Sequence, residues 1–168
     1  MEKNICLIGF MGSGKSMIAC ELGRRLGLEV VAADELIEAK EGRRILDIFK
    51  TKGEAYFRDL EQKVIEEISQ RRGIIIDCGG GVVLRKENLA NLKSNGIVFY
   101  LQAAPEVIYE RVKHEGHRPL LKGPDPLGCI KELYNQRLPL YNQADFVIDA
   151  NDASIEGPVA EIIKKYKG

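Results

Sequence analysis

The chain has 168 residues, a length that folds around one core, so a single domain covering residues 1–168 is expected. Apolar residues make up 45% and charged residues 30%, which excludes a disordered tail or a fibrous repeat. The 25 Lys and Arg balance the 25 Asp and Glu, so no global field draws the chain onto nucleic acid or anionic lipid, and any bound anion must be held by local groups.

No apolar run approaches the roughly 20 residues needed to cross a bilayer. The apolar start at Ile5 to Met11 runs into a glycine-lysine motif instead of a small-residue cleavage site, so a cytoplasmic location is expected. Cys6, Cys20, Cys78 and Cys129 are widely spaced, with no CxxC pair to suggest a zinc ribbon or a redox motif. Reduced core thiols are the expectation for them.

In chain order, Ile5 to Ile8 is a short apolar strand ended by Gly9, and beyond Lys15 the spacing of Ile18, Leu22 and Leu26 is helical. Gly27 stops that helix; Glu29 to Val31 reads as a second strand, and Asp34 begins another helical stretch. From Leu46 to Gln70 the period is helical, with Phe57, Leu60, Val64 and Ile68 on one stripe and a break at Gly53. Ile74 to Ile76 is a continuous apolar run suited to a strand covered on both faces, closed by Gly79, Gly80 and Gly81.

Ile97 to Leu101 is a further strand, and Pro105 opens a helix through Val107, Ile108 and Val112. His114 to Gly128 is rich in glycine and proline with little to bury, and reads as a mobile loop. A helix near Ile130 to Leu138, a strand at Phe146 to Ile148 and a helix from about Pro158 to Tyr166 follow. Alternating strands and helices imply an α/β fold of three layers, with a parallel sheet whose ligands bind beyond the carboxyl ends of its strands.

The segment Gly9-Phe10-Met11-Gly12-Ser13-Gly14-Lys15-Ser16 fits GxxxxGK[ST] and lies between a strand and a helix, the context this phosphate-binding motif requires. Glycines let consecutive backbone N–H groups turn toward phosphates, and the helix N-terminus adds partial positive charge. Gly12, Ser13, Gly14, Lys15, Ser16 and Met17 are therefore the expected ATP-binding residues. Lys15 supplies a point charge for the β and γ phosphates, and the Ser16 hydroxyl is placed to ligate Mg²⁺. No NKxD-like base-reading motif of a GTPase is present, because Asn91-Leu92-Lys93-Ser94 lacks the aspartate.

Six segments in order, IGFMGSGKS at 8–16, DELIE at 34–38, GEAYFRDLE at 53–61, GGG at 79–81, RPLL at 118–121 and RLPLY at 137–141, make the chain resemble the shikimate kinases from end to end. The resemblance implies a nucleoside-monophosphate-kinase-like P-loop fold with a five-stranded parallel sheet. It also implies a substrate-binding region at about 33–61, a lid at about 114–126, and ATP-dependent phosphorylation of shikimate at its 3-hydroxyl on the route to aromatic amino acids. A monomer whose partners are small molecules, with no nucleic acid or membrane, is the accompanying expectation.

By that resemblance Asp34 orients or deprotonates the attacking hydroxyl, although an Asp before an apolar-periodic segment can also be a plain helix N-cap. Arg58 and Arg137 hold the acid's carboxylate bidentately, with Glu61 one turn beyond Arg58 fixing its orientation; a lone Arg58 would otherwise read as a surface ion pair. Gly79, Gly80 and Gly81 form a wall without side chains, or simply a tight turn. Arg118 reaches the γ-phosphate when the lid closes, while His114 and His117 are solvated lid residues.

In two places the chain departs from the family pattern. Ala32 stands where the family carries an aspartate that organises the hydrated Mg²⁺, whereas Asp77 sits at the end of the third strand, where a Walker-B carboxylate belongs. Asp77 either replaces the missing carboxylate or accepts backbone hydrogen bonds in the glycine turn. The family's adenine-flanking arginine is also missing from Asp149 to Pro158, which leaves Arg111 and Pro158 to flank the adenine. Kinases of other small hydroxy acids, such as gluconate, and a catalytically silent binding module are the rival readings.

Overall fold

The computed structural model describes residues 2–168. Five strands, β1 (Asn4–Ile8), β2 (Glu29–Ala32), β3 (Ile74–Asp77), β4 (Gly96–Gln102) and β5 (Phe146–Asp149), form one sheet in the order β2-β3-β1-β4-β5. Every pairing is parallel. Strand β1 is central and buried throughout, as an unbroken apolar run requires. Its alternate side chains feed two separate cores: Ile5 and Leu7 enter one, Cys6 and Ile8 the other.

On one face lie α1 (Lys15–Leu26) and α8 (Glu156–Lys167), whose Ile18, Leu22, Val159 and Ile162 pack with Ile5 and Leu7. The opposite face is covered by α2 (Ala33–Glu41), α3 (Ile45–Lys52), α4 (Glu54–Ser69), α5 (Lys86–Asn95), α6 (Pro105–Val112) and α7 (Pro126–Tyr141). The break at Gly53 separates α3 from α4 at a positive φ of 85°. Tyr166 donates from its hydroxyl to the Lys3 carbonyl at 2.8 Å, bringing the end of α8 beside the start of β1.

Three local expectations need correction. The segment after the glycine triplet, which carried no predicted element, folds as a 3₁₀ turn at Val82–Leu84 followed by α5. The loop expected through Gly128 is shorter, because the Asp125 side chain accepts from the Gly128 N–H at 3.0 Å and caps a helix that starts at Pro126. Of the four cysteines only Cys6 and Cys78 are core thiols; Cys20 and Cys129 are exposed on α1 and α7, where the helical period turns them outward. Among the described residues, no helix is long and apolar enough to cross a membrane.

Candidate active site

Parallel strands release their chain at one edge, and there the residues nominated by the motifs gather. The turn from β1 into α1 wraps a glycine loop in which Gly12 and Gly14 hold φ of 71° and 91°, left-handed values that a Cβ would strain. Lys15 opens α1, and its Nζ donates to the Gly9 and Phe10 carbonyls at 2.9 and 3.0 Å. The ammonium is thus folded over the loop. Burial lowers the Lys15 pKa, while the carboxylates of Asp77 and Asp34 pull it back up.

Lys15, Ser16, Asp34, Asp77, Gly79, Gly80 and Arg118 line one cleft of about 380 Å³, joined by Met17 and Ala32. The Ser16 hydroxyl donates to Asp77 Oδ2 at 2.6 Å. Asp77 therefore points across to the phosphate loop, and the alternative in which it braces the glycine turn is not what the geometry shows. Ala32 is the register partner of Asp77 on the neighbouring strand, so the two positions sit side by side at the sheet's edge.

A hydroxyl and a carboxylate oxygen beside a phosphate loop are the hard donors that suit Mg²⁺, which keeps several waters and takes only one or two protein ligands. In keeping with so sparse a donor set, no group of three or more His, Cys, Asp or Glu side chains is gathered for a metal among the described residues. Ser16 and Asp77 fit this ion.

Asp34 is the second residue of α2; Ala32 is the cap and makes no side-chain bond, so capping does not explain the aspartate. Its carboxyl reaches the cleft, where desolvation by the walls raises its pKa against the lowering effect of Lys15. Opposite, Arg58 Nη1 donates to Glu61 Oε2 at 2.7 Å, and its guanidinium lies 5.0 Å over the Phe57 ring. Glu61 is only 1% exposed, and burial raises its pKa while Arg58 opposes the rise.

The glycine triplet is a matter of space. None of its three residues has a positive φ. A Cβ on Gly79 would lie 2.6 Å from Asp34 Oδ1, and one on Gly81 would collide with the Arg58 guanidinium. Gly80 lies next to Arg137, whose Nη1 would be 3.9 Å from a Cβ there. Arg137 stands 5.8 Å over the Phe10 ring, and its Nε is buried without a partner. Arg58 and Arg137 thus approach the triplet from α4 and α7.

Arg111 and Pro158 both line a second pocket of about 390 Å³ next to the glycine loop, shared with Gly12, Ser13, Gly14 and Met17. Carbonyls of Gly12, Ala150 and Asp152 hold the Arg111 guanidinium at 3.2, 2.8 and 2.8 Å. Arg118 borders the first cleft and is ion-paired with Glu115, a partner that the sequence reading did not name although it lies one turn before. Also unforeseen was Tyr141, whose hydroxyl donates to the Gly80 carbonyl at 2.5 Å. Its signal was available: a buried phenol needs an acceptor.

A glycine loop with its lysine and hydroxyl, set at the edge of a five-stranded parallel sheet, defines a P-loop kinase. The family model for shikimate kinase matches residues 11–167, and the chain belongs to that family. A shikimate kinase of Thermodesulfovibrio yellowstonii is 45% identical over 165 residues, covering 98% of this chain and 95% of that protein. The structure of shikimate kinase from Acinetobacter baumannii in complex with shikimate superposes with a TM-score of 0.92 at 33% identity, over 98% of this chain and 93% of the other. That from Aquifex aeolicus gives 0.85 at 38% identity, over 98% and 96%.

Proposed function

We propose that the protein transfers the γ-phosphoryl group of ATP to the 3-hydroxyl of shikimate, giving shikimate 3-phosphate and ADP. One observation carries the reading: Asp34, two guanidinium groups and a wall without side chains converge opposite the phosphate loop. In the step, the hydroxyl oxygen bonds to the γ-phosphorus as the bond from that phosphorus to the β–γ bridging oxygen breaks, and its electron pair leaves with ADP. Asp34 accepts the hydroxyl's hydrogen bond and, with its raised pKa, is suited to taking its proton.

Arg58 and Arg137 hold the carboxylate, at roughly 1.5–3 kcal/mol per charge-assisted bond, and so fix which hydroxyl faces the phosphate. The pocket of Arg111 and Pro158 takes the adenine, while the Gly12–Met17 segment takes the phosphates. Lys15 leaves its loop carbonyls for the β and γ phosphates. Arg118, released from Glu115 as the lid of residues 114–126 closes, meets the charge developing on the transferred group and excludes water. Ser16 and Asp77 would hold Mg²⁺, which would supply positive charge to offset that of the phosphates.

The enzyme works as a cytoplasmic monomer, which sedimentation at assay concentration tests. The function itself is tested by ADP release in the presence of shikimate, gluconate or no acceptor, with and without Mg²⁺. Turnover of about 1–100 per second that needs both shikimate and Mg²⁺ is expected. Turnover with gluconate, or none with any acceptor, would overturn the reading.

A further inference from the structure

Tyr141 belongs to no group that touches either substrate in the scheme above, yet it is fully buried at the foot of the site. Its ring stacks on Tyr100, with centroids 5.0 Å apart and planes 14° from parallel, which fixes where its hydroxyl points. That hydroxyl donates to the Gly80 carbonyl at 2.5 Å. Gly80 lies in ordinary contact with both the phosphate loop and the arginine: a Cβ there would sit 3.5 Å from the Met11 nitrogen, 3.6 Å from the Gly9 carbonyl oxygen and 3.9 Å from Arg137 Nη1. Arg137 itself lies one turn before Tyr141 on α7.

A peptide unit is planar and trans, and no cis bond occurs among the described residues. Holding the Gly80 carbonyl toward Tyr141 therefore turns the Gly81 N–H to the opposite side, where it has no backbone partner among the described residues. We infer that Tyr141 is a positioning residue: its hydroxyl sets the tilt of the Gly80–Gly81 peptide and clasps that wall to the helix carrying Arg137, so that the acid meets its guanidinium and backbone donors already aligned. Burial raises the Tyr141 pKa against the lowering effect of the neighbouring Arg137 guanidinium.

The clasp rests on the assignment of this cleft to shikimate, and the experiment separates the two. Y141F keeps the stacked ring and removes only the hydroxyl. Y100F removes a hydroxyl from the same stack, one that instead donates to Tyr134 at 3.2 Å. Expected for Y141F is a rise of about 5- to 20-fold in KM for shikimate, the loss of one hydrogen bond's alignment, with KM for ATP unchanged. Y100F leaves both KM values at the wild-type level.

Calorimetric binding of shikimate to Y141F reads the same weakening without turnover. Y141F with an unaltered KM for shikimate, or with both KM values raised in equal proportion, would overturn the clasp. A wild-type enzyme that ignores shikimate would remove the assignment of the acid, and the clasp with it.

Discussion

Ser16 and Asp77, 61 positions apart in the chain, share a 2.6 Å hydrogen bond that ties the first turn of α1 to the end of β3. Lys15 and Cys78, the chain neighbours of the two partners, line the same cleft. Replacing Asp77 by Ser should raise the Mg²⁺ concentration for half-maximal turnover by about tenfold, in line with the loss of a metal-orienting group. Because Ala32 is the register partner of Asp77, adding A32D to D77S should recover part of that loss. Titration of turnover with Mg²⁺, alongside the affinity for ADP with and without the ion, checks both; an unchanged Mg²⁺ requirement in D77S would remove Asp77 from the metal site.

Arg118 lines the cleft and is ion-paired with Glu115. R118A should lower kcat by about 10²–10³ while KM for shikimate moves little, because an interaction made only in the transition state leaves ground-state binding alone. Steady-state kinetics decide this, and a loss confined to KM would place Arg118 in substrate binding instead.

Gly79 has no room for a methyl group beside Asp34. G79A should displace the aspartate and cut kcat/KM for shikimate by about tenfold or more, with KM for ATP preserved. Equal losses toward both substrates would point to a general disturbance of the sheet edge.

Glu61 supplies a pH dependence of stability. Its carboxyl pKa is raised in the folded protein, with burial the main cause, so the native chain retains a proton that the unfolded chain has already released. Its contribution is fully present below the ordinary glutamate value and is lost as pH rises through the raised one. Relative to wild type, E61Q should flatten the decline of stability across that window, read from urea unfolding at a series of pH values. Superimposable wild-type and E61Q profiles would show that Glu61 titrates as it does in the unfolded chain.

What the sequence made legible followed from local chemistry. Apolar runs ended by glycine announced β1 and β3, and GxxxxGK[ST] placed the phosphate loop between strand and helix. Helix α5 was hidden because its first turn, Lys86 to Asn88, is polar, and only Leu89 and Leu92 mark an apolar face. Asn88 is buried nevertheless, since its amide donates to the Val82 carbonyl at 2.9 Å.

The strand order was beyond reach for a different reason: it brings β3 between β1 and β2, and nothing local encodes that neighbourhood. Ser16 meeting Asp77 and Tyr141 meeting Gly80 both depend on it. Motifs named three of those four residues for their own chemistry, but only the assembled sheet shows which of them touch.

The bond from Tyr166 to the Lys3 carbonyl sets the two ends of the fold side by side, at the edge of the sheet away from the phosphate loop. A short linker could join those ends and the backbone be opened at another surface turn, giving a circularly permuted form with the strand order intact. Such a form should keep Ser16 paired with Asp77, because that contact lies at the opposite edge of the sheet.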